Sequence, residues 1–478
     1  MPVPWPRTRP AGIFATLSIL LLAGCASLDI DREVAALNAA QPAFTQGALT
    51  IGHDEAGRQA RAQQTDRLLT APLGRDEAVR LAMANSPELQ ALLTQHLSDL
   101  AAAQASGRIA NPVFTLERVR NGDELELGRL LSFGLLDVIT WPQRHALARQ
   151  QEAQVRVRLS ATLVDQVSAV RQAWVRAVAA QQVVGYAYQV QQAAQASAEL
   201  ARRMQATGNF SRLQRARQHA FYADATARLA GAQHAATVAR EDLVRRLGLD
   251  DTQAQRLRLP ERLPDLPAQP MEPAQVAGAA REQRLDWQLA RLQLEAAGRA
   301  QRLDLVSSLV DVEAGVRRDT HFDAGQRSNP RGWELALRLP LFDWGSARRA
   351  AMNAQSLAAA HRYDAVTRSA ASQLREAYSA YRTSWELVRH YRDEVVPLRK
   401  TVSDENLLRY NGMLIGVFEL LADTREQVGS VMAAIDAQQQ FWLADAALAS
   451  ALTGRPAAAS LRADSGSTTA SPSEPAGH

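Results

Sequence analysis

The amino-acid sequence predicts a mainly α chain with a smaller β portion, built from two copies of one helix–hairpin–helix unit. Between Trp333 and Arg349 the chain changes period. Trp333, Leu335, Leu337, Leu339 and Leu341 alternate with Glu334, Ala336 and Arg338, the pattern of a strand with one apolar face, and past Gly345 an Ala/Arg/Gln-rich helical pattern takes over. From Gln143 to Thr207 only the isolated Gly185 interrupts a helix; the span is about 65 residues, or roughly 100 Å. Landmarks recur about 204 residues apart, as in a duplicated unit. Trp141 matches Trp344, Gly208 matches Gly412, and Leu247-Gly248 matches Thr453-Gly454.

Composition agrees with long helices. Ala, Leu, Arg and Gln dominate the 478 residues and aromatics are 5%, a mix suited to helices with small-residue seams rather than a compact α/β core. The net charge of +4 is scattered and interleaved with acids, so no basic block points to nucleic acid. At the N-terminus, Arg7 and Arg9 precede an apolar run from Ala11 to Leu22. That run is too short to span a bilayer comfortably and has the layout of a signal peptide over residues 1–24. Leu22-Ala23-Gly24-Cys25 resembles the bacterial lipoprotein lipobox, which implies cleavage before Cys25 and a diacylglycerol on its sulfur. Cys25 is the sole cysteine, so no intrachain disulfide can form, and the covalent lipid is the only attached group expected. Ala26 stands where an Asp often marks inner-membrane retention in such lipoproteins, which fits the outer membrane.

The rest reads in order. The lipidated segment, residues 25–75, is polar with little periodicity, an extended lead-in with room for some helix. The first repeat covers residues 76–249. Apolar positions from Ala78 to Leu100 recur at helical spacing, and Pro87 starts or kinks a helix reaching about Gly107. Strands near Val113–Val119 and Leu125–Phe133 flank the turn signal Asn121-Gly122-Asp123 and make a hairpin. The long helix then stops at Gly208-Asn209, and a second runs from Ser211 to about Leu247. Together the two shorter helices match the long one, so they can lie end to end beside it. Residues 250–273 carry five prolines and read as a linker rather than a folded element. The second repeat, residues 274–455, has a helix to about Leu303 and a strand in which Val310, Val312, Ala314 and Val316 oppose Asp311, Glu313 and Arg317. A polar loop from Thr320 to Arg331, the strand at Trp333, a helix from Ser346 to Tyr410, a break at Asn411-Gly412 and a last helix follow. Residues 456–478, rich in Ser, Ala and Pro, read as a disordered tail.

Strands with one apolar and one charged face admit two readings. One is a small sheet with its apolar face covered by helices. The other is a transmembrane barrel, apolar toward lipid, with Asp311, Glu313, Arg317, Glu334 and Arg338 toward a water-filled lumen. Four strands cannot close a barrel that needs about eight, and open edges are not tolerated in lipid. In the second reading several chains must therefore share one barrel. The duplicated plan resembles the TolC family of bacterial outer-membrane efflux channels. So do the segments Leu339-Pro340-Leu341-Phe342-Asp343-Trp344-Gly345 and Ile139-Thr140-Trp141-Pro142-Gln143-Arg144, and the motif Arg409-Tyr410-Asn411-Gly412-Met413-Leu414-Ile415-Gly416-Val417-Phe418-Glu419-Leu420-Leu421. The resemblance covers about Asp76 to Gly454. It implies a homotrimer in outer-membrane lipid, with a twelve-stranded β-barrel continuing into a long periplasmic α-helical barrel. It further implies a periplasmic adaptor protein and an inner-membrane transporter as partners.

By that resemblance Gly208, Asn209, Phe210 and Ser211, and Gly412, Met413, Leu414, Ile415 and Gly416, form the periplasmic tips. Glycine suits a tight reversal that needs positive φ, and Ser211 can cap the next helix. Apolar Phe210, Met413, Leu414 and Ile415 at such tips suggest burial against the adaptor. Glu419 and Asp423, four apart on one helix face, would make acidic rings in a trimer and favour cations at an aperture; the competing reading is a solvated acidic face paired with Arg425 or a neighbouring Arg. In the first repeat the Glu419 position falls near Gln214 or Arg215. An enzyme is disfavoured: no catalytic triad or phosphate loop stands out, and the nine histidines lack metal-ligand spacing. A lipid-anchored coiled-coil scaffold, or the adaptor itself, would explain the helices and Cys25 but not the strands. The tip motif looks closest to channels of metal- and drug-efflux pumps.

Overall fold

The structure, a computed structural model, describes residues 29–454 except 53, 123, 277, 279–283, 308–310, 324–325 and 339–344. The signal peptide, Cys25, the tail 456–478, Val310 and the Leu339–Trp344 segment lie outside the described residues.

The N-terminal lead-in is folded rather than extended. Its helices α1 (Ile30–Ala40), α2 (Pro42–Thr45) and α3 (Glu55–Leu68) are short. The carboxylates of Asp29 and Asp54 cap α1 and α3 by accepting from backbone N–H groups. Apolar residues are sparse here, which hides the periodicity, yet Val34, Leu37, Phe44, Leu49 and Leu69 are all buried. Arg156, far along the chain, clamps Glu33 through two N–H bonds of 3.1 and 2.9 Å. Helix α4 (Arg75–Asn85) ends at Ser86, whose hydroxyl caps α5 (Pro87–Ser106), so Pro87 starts a new helix from its first position.

Strands β1 (Val113–Asn121) and β2 (Glu124–Gly134) form the expected hairpin, with Gly122 at φ +61° in the turn. Helix α6 (Leu135–Ala206) begins directly at the end of β2 and runs 72 residues, about 108 Å at 1.5 Å per residue. It therefore starts ahead of Gln143, where the sequence pattern begins the long helix. Pro142 lies inside it and removes one backbone donor near the start of a long ladder without ending the helix.

Helix α7 (Arg212–Leu247) returns along α6 and stops at Gly248, φ +67°. There it meets the start of α5: the Asn85 amide donates to the Gly248 carbonyl at 2.7 Å, and a Cβ on Gly248 would strike the Pro87 ring. The two shorter helices thus lie end to end beside the long one.

The proline-rich segment 250–273 is a strap and not a free linker. After the one-and-a-half-turn α8 (Asp251–Arg256), Leu257, Leu263 and Leu266 are buried. The indole N–H groups of Trp442 and Trp385 donate to the carbonyls of Pro264 and Pro267, both at 3.1 Å. Proline removes donors but leaves acceptors, and its fixed φ lowers the entropy lost on ordering.

The second half of the chain has a similar order of elements. Helix α9 (Leu285–Ser307) meets the end of the last helix, where the Leu285 N–H donates to the Thr453 carbonyl at 2.9 Å. Strand β3 (Asp311–Asp323) pairs antiparallel with β2 on one side and with β4 (Gln326–Ser328) and β5 (Arg331–Arg338) on the other. β4 and β5 keep a single register against β3. They are one strand interrupted at Asn329-Pro330, where proline cannot donate to the ladder. The polar loop expected over Thr320–Arg331 is therefore mostly strand. Among the described residues the result is one antiparallel sheet, in substance four strands wide, with both outer edges unpaired.

Helix α10 (Ser346–His390) passes through a π-helical turn, Tyr391–Val395, into α11 (Val396–Asn411). Pro397, in the first turn of α11, has no N–H to give the turn before it, and the widened turn absorbs the mismatch. Helix α12 (Val417–Leu452) closes the fold and matches α7 at 36 residues. The core lies midway along the helices, where Trp174 and Leu163 of α6, Leu243 of α7, Tyr381 of α10 and Phe441 of α12 are buried together with Leu81 and Leu93.

Candidate functional site

Residues directly opposite in an antiparallel ladder share a face, so the register sorts every strand residue. On one face, Trp333, Val316, Leu131 and Phe114 form a continuous apolar row across the sheet, flanked by Leu335, Ala314 and Phe133 and then by Leu337 and Val312. Trp333 is 81% exposed and Val316 64%. A sheet covered by helices would bury this face, so that reading fails. No described helix is long and apolar enough to cross a membrane; that leaves the sheet question untouched.

The opposite face holds the charges expected from sequence. Glu313, Arg317 and Glu334 lie on it, and Asp311 and Arg338 face each other across one rung at its helix end. It also carries Glu117 and Glu126 from the hairpin, where the alternation places them, and Asp319 and His321, which the sequence reading left out because alternation was not followed past Arg317. The ligand atoms of Glu126, Asp319 and His321 lie within 4.8 Å of one another. The Arg317 guanidinium donates to Asp319 at 2.8 Å and stands 3.9 Å from Glu126. A side chain thus already supplies the positive charge there.

At the far end of the helices the two tips are alike in backbone but not in residue. In the first, Gly208 takes φ +82° and the Asn209 N–H reaches back to the Met204 carbonyl at 2.9 Å. In the second, Gly412 has φ −79° and the left-handed position falls to Met413, φ +58°, with the Leu414 N–H bonded to the Arg409 carbonyl at 2.8 Å. These are matching helix-terminating turns, displaced by one residue from the glycine-to-glycine alignment. Met413 and Leu414 are 92% and 74% exposed. Ile415, expected at the surface, is buried, and Phe210 is half-buried; both face their own chain.

Ser211 and Gly416 are the N-caps of α7 and α12, which sets Gln214 opposite Glu419 and Gln218 opposite Asp423. In the first repeat Ser211 and Gln214 form a reciprocal capping box that folds the glutamine back. Gly416 has no side chain to reciprocate, and Glu419 stays exposed, without an ion pair among the described residues. By contrast Glu199, near the other tip, accepts from Arg202 and Arg203, which hold its carboxyl down to about 2.

Asp423 shares a helix face with Glu419 but not its surroundings: it is buried, and its Oδ2 has no hydrogen-bond partner. Gln218 is likewise buried with its Oε1 unpartnered. Sequence reading missed Gln218; aligning helix starts rather than glycines would have found it. Arg425 stacks on the Phe221 ring, 4.3 Å from its centroid. It is thereby engaged with α7.

No family model matches the chain, and no curated protein does. Solved structures do. A membrane protein from Pseudomonas aeruginosa aligns at 21% identity and TM-score 0.67 over 81% of this chain and 93% of that one. The Campylobacter jejuni CmeC outer membrane channel aligns at 12% identity and TM-score 0.68, over 82% and 86%. The open state of the Neisseria gonorrhoeae MtrE outer membrane channel aligns at 17% and 0.65, over 80% and 89%. At these identities the likeness is one of fold. The chain has the fold of bacterial outer-membrane channels, in agreement with the resemblance drawn from its motifs, and CmeC and MtrE are channels rather than enzymes.

Proposed function

We propose that the chain is the outer-membrane channel of a tripartite efflux system, conducting substrate passively from an inner-membrane transporter and periplasmic adaptor to the exterior. The observation that carries this is the sheet: an exposed apolar face, a charged opposite face and two unpaired edges, on a chain with an outer-membrane channel fold. Four strands with open edges belong in lipid only if neighbouring copies complete the barrel, and a homotrimer supplies twelve. A water-soluble scaffold or adaptor would leave the apolar face in water. The test is extraction from outer membranes followed by planar-bilayer recording. A heat-sensitive trimer that forms stable pores supports the reading, and a soluble or inner-membrane monomer without conductance sinks it.

Two finer features belong to the proposal. Cys25 carries the lipid anchor: Cys25→Ser should abolish labelling by radioactive palmitate while trimers still insert, because the barrel and not the acyl chain spans the membrane. Persistent labelling would remove the anchor from the account. Glu419, exposed and unpaired, would recur three times around the trimer axis. Glu419→Gln should raise single-channel conductance and weaken cation preference; if both stay unchanged, Glu419 does not line the aperture. Met413 and Leu414 are the side chains offered to the adaptor. Heavy-metal ions or drugs are the favoured substrates, on the likeness of the Arg409–Gly416 motif.

A further inference from the structure

The face that carries the apolar rows also carries a second feature, nearer the hairpin turns. One rung beyond the Trp333–Val316–Leu131–Phe114 row, Arg331, Arg318 and Arg129 stand directly opposite one another on three adjacent strands. Arg118, Arg120 and Arg327 lie on the same face still closer to the turns. No described strand residue on this face is acidic; Glu117, Glu124, Glu126, Asp311, Glu313, Asp319, Asp323 and Glu334 all lie on the other. Among the described residues their partners are neutral: Arg129 donates to the Thr320 hydroxyl at 3.1 Å, Arg120 to the Gly122 carbonyl, and Arg327 sits over the Phe322 ring. Like charges placed directly opposite in a sheet repel, and here nothing within the face offsets them. Guanidinium groups pair bidentately with phosphate.

On this geometry, and resting on the channel reading above, we propose that the arginine belt binds the phosphate groups of the outer leaflet's phosphorylated glycolipid, a bisphosphorylated acylated glucosamine disaccharide. The helices leave the sheet at the Leu337–Val312 end and the turns close the other, so the belt lies on the exterior side. The rungs from Leu337 to Arg331 span on the order of 20 Å at about 3.4 Å per residue. Acyl chains cover the apolar rows, and the belt meets the headgroups at their upper boundary.

The test uses the full-length trimer in detergent, titrated by native mass spectrometry with bisphosphorylated lipid A and with the same lipid lacking both phosphates. The unmodified chain should retain the bisphosphorylated lipid about tenfold or more in preference. The triple variant Arg129→Gln, Arg318→Gln, Arg331→Gln should lose that preference, and Arg317→Gln, on the opposite face, should keep it. Equal retention of the two lipids by the unmodified chain overturns the proposal without requiring any variant to fold; so does a triple variant that still discriminates. Planar bilayers made without lipid A separate the two readings. A chain that conducts there but does not discriminate between the lipids loses only the belt, and one that never conducts loses the channel reading and the belt with it.

Discussion

Leu335→Arg should prevent the chain from accumulating as a heat-sensitive trimer in outer membranes. Leu335 sits in the middle of three apolar rungs on the exposed face. A charge at mid-membrane on a barrel's lipid face costs about 2–4 kcal/mol, and the proposed trimer would carry the change three times. Ala336→Arg places the same side chain one residue along, on the charged face beside Glu313, and should assemble normally. Electrophoresis of heated and unheated outer-membrane fractions reads both outcomes. Equal trimer yields from the two variants would show that the faces are not lipid and lumen.

Trp174→Ala should cost about 3–5 kcal/mol, the range for removing a large aromatic from a filled core. Trp174 is 1% exposed at the middle of α6, and its indole N–H donates to the Leu73 carbonyl at 2.8 Å. The substitution leaves both a cavity and a buried carbonyl without its donor. Thermal unfolding of the detergent-solubilised trimer should begin well below that of the unmodified chain. Trp174→Phe fills most of the volume and loses only the hydrogen bond, so a smaller loss of roughly 1 kcal/mol is expected. If alanine and phenylalanine behave alike, cavity formation is not what the site resists.

Features that repeat over many residues were readable from sequence. The alternation at Trp333–Arg338 is strand, and the long uninterrupted patterns are helices. The end-to-end placement of two short helices beside each long one follows from their lengths, and the structure has it at Gly248 and at Leu285. Single residues misled where tertiary context outweighed local preference. Pro142 and Trp141 suggested a boundary, yet a helix of 72 residues loses little by one missing donor. Gly412 suggested the left-handed turn position, but the chain spends it one residue later, on Met413. The polar run Thr320–Arg331 suggested a loop, although strand pairing runs through much of it and resumes beyond Asn329-Pro330 in the same register. Of the candidate site, the charged strand face was visible as a pattern. The arginine belt was not, because its members come from five strand segments and only pairing puts them on one face.

The strap at residues 257–272 has a consequence for how the molecule comes apart. Duplicated halves joined by a loose tether can unfold one at a time, or trade partners between copies. Here the tether is itself a shared wall: its Arg258 carbonyl accepts from Leu73 and its Leu263 N–H reaches Gln182 of the first half, while Pro264 and Pro267 accept from Trp442 and Trp385 of the second. Releasing either half strips hydrogen-bond partners from the same short stretch and uncovers Leu263. The segment between the two halves thereby couples them, so that neither can come away without disturbing the other's contacts.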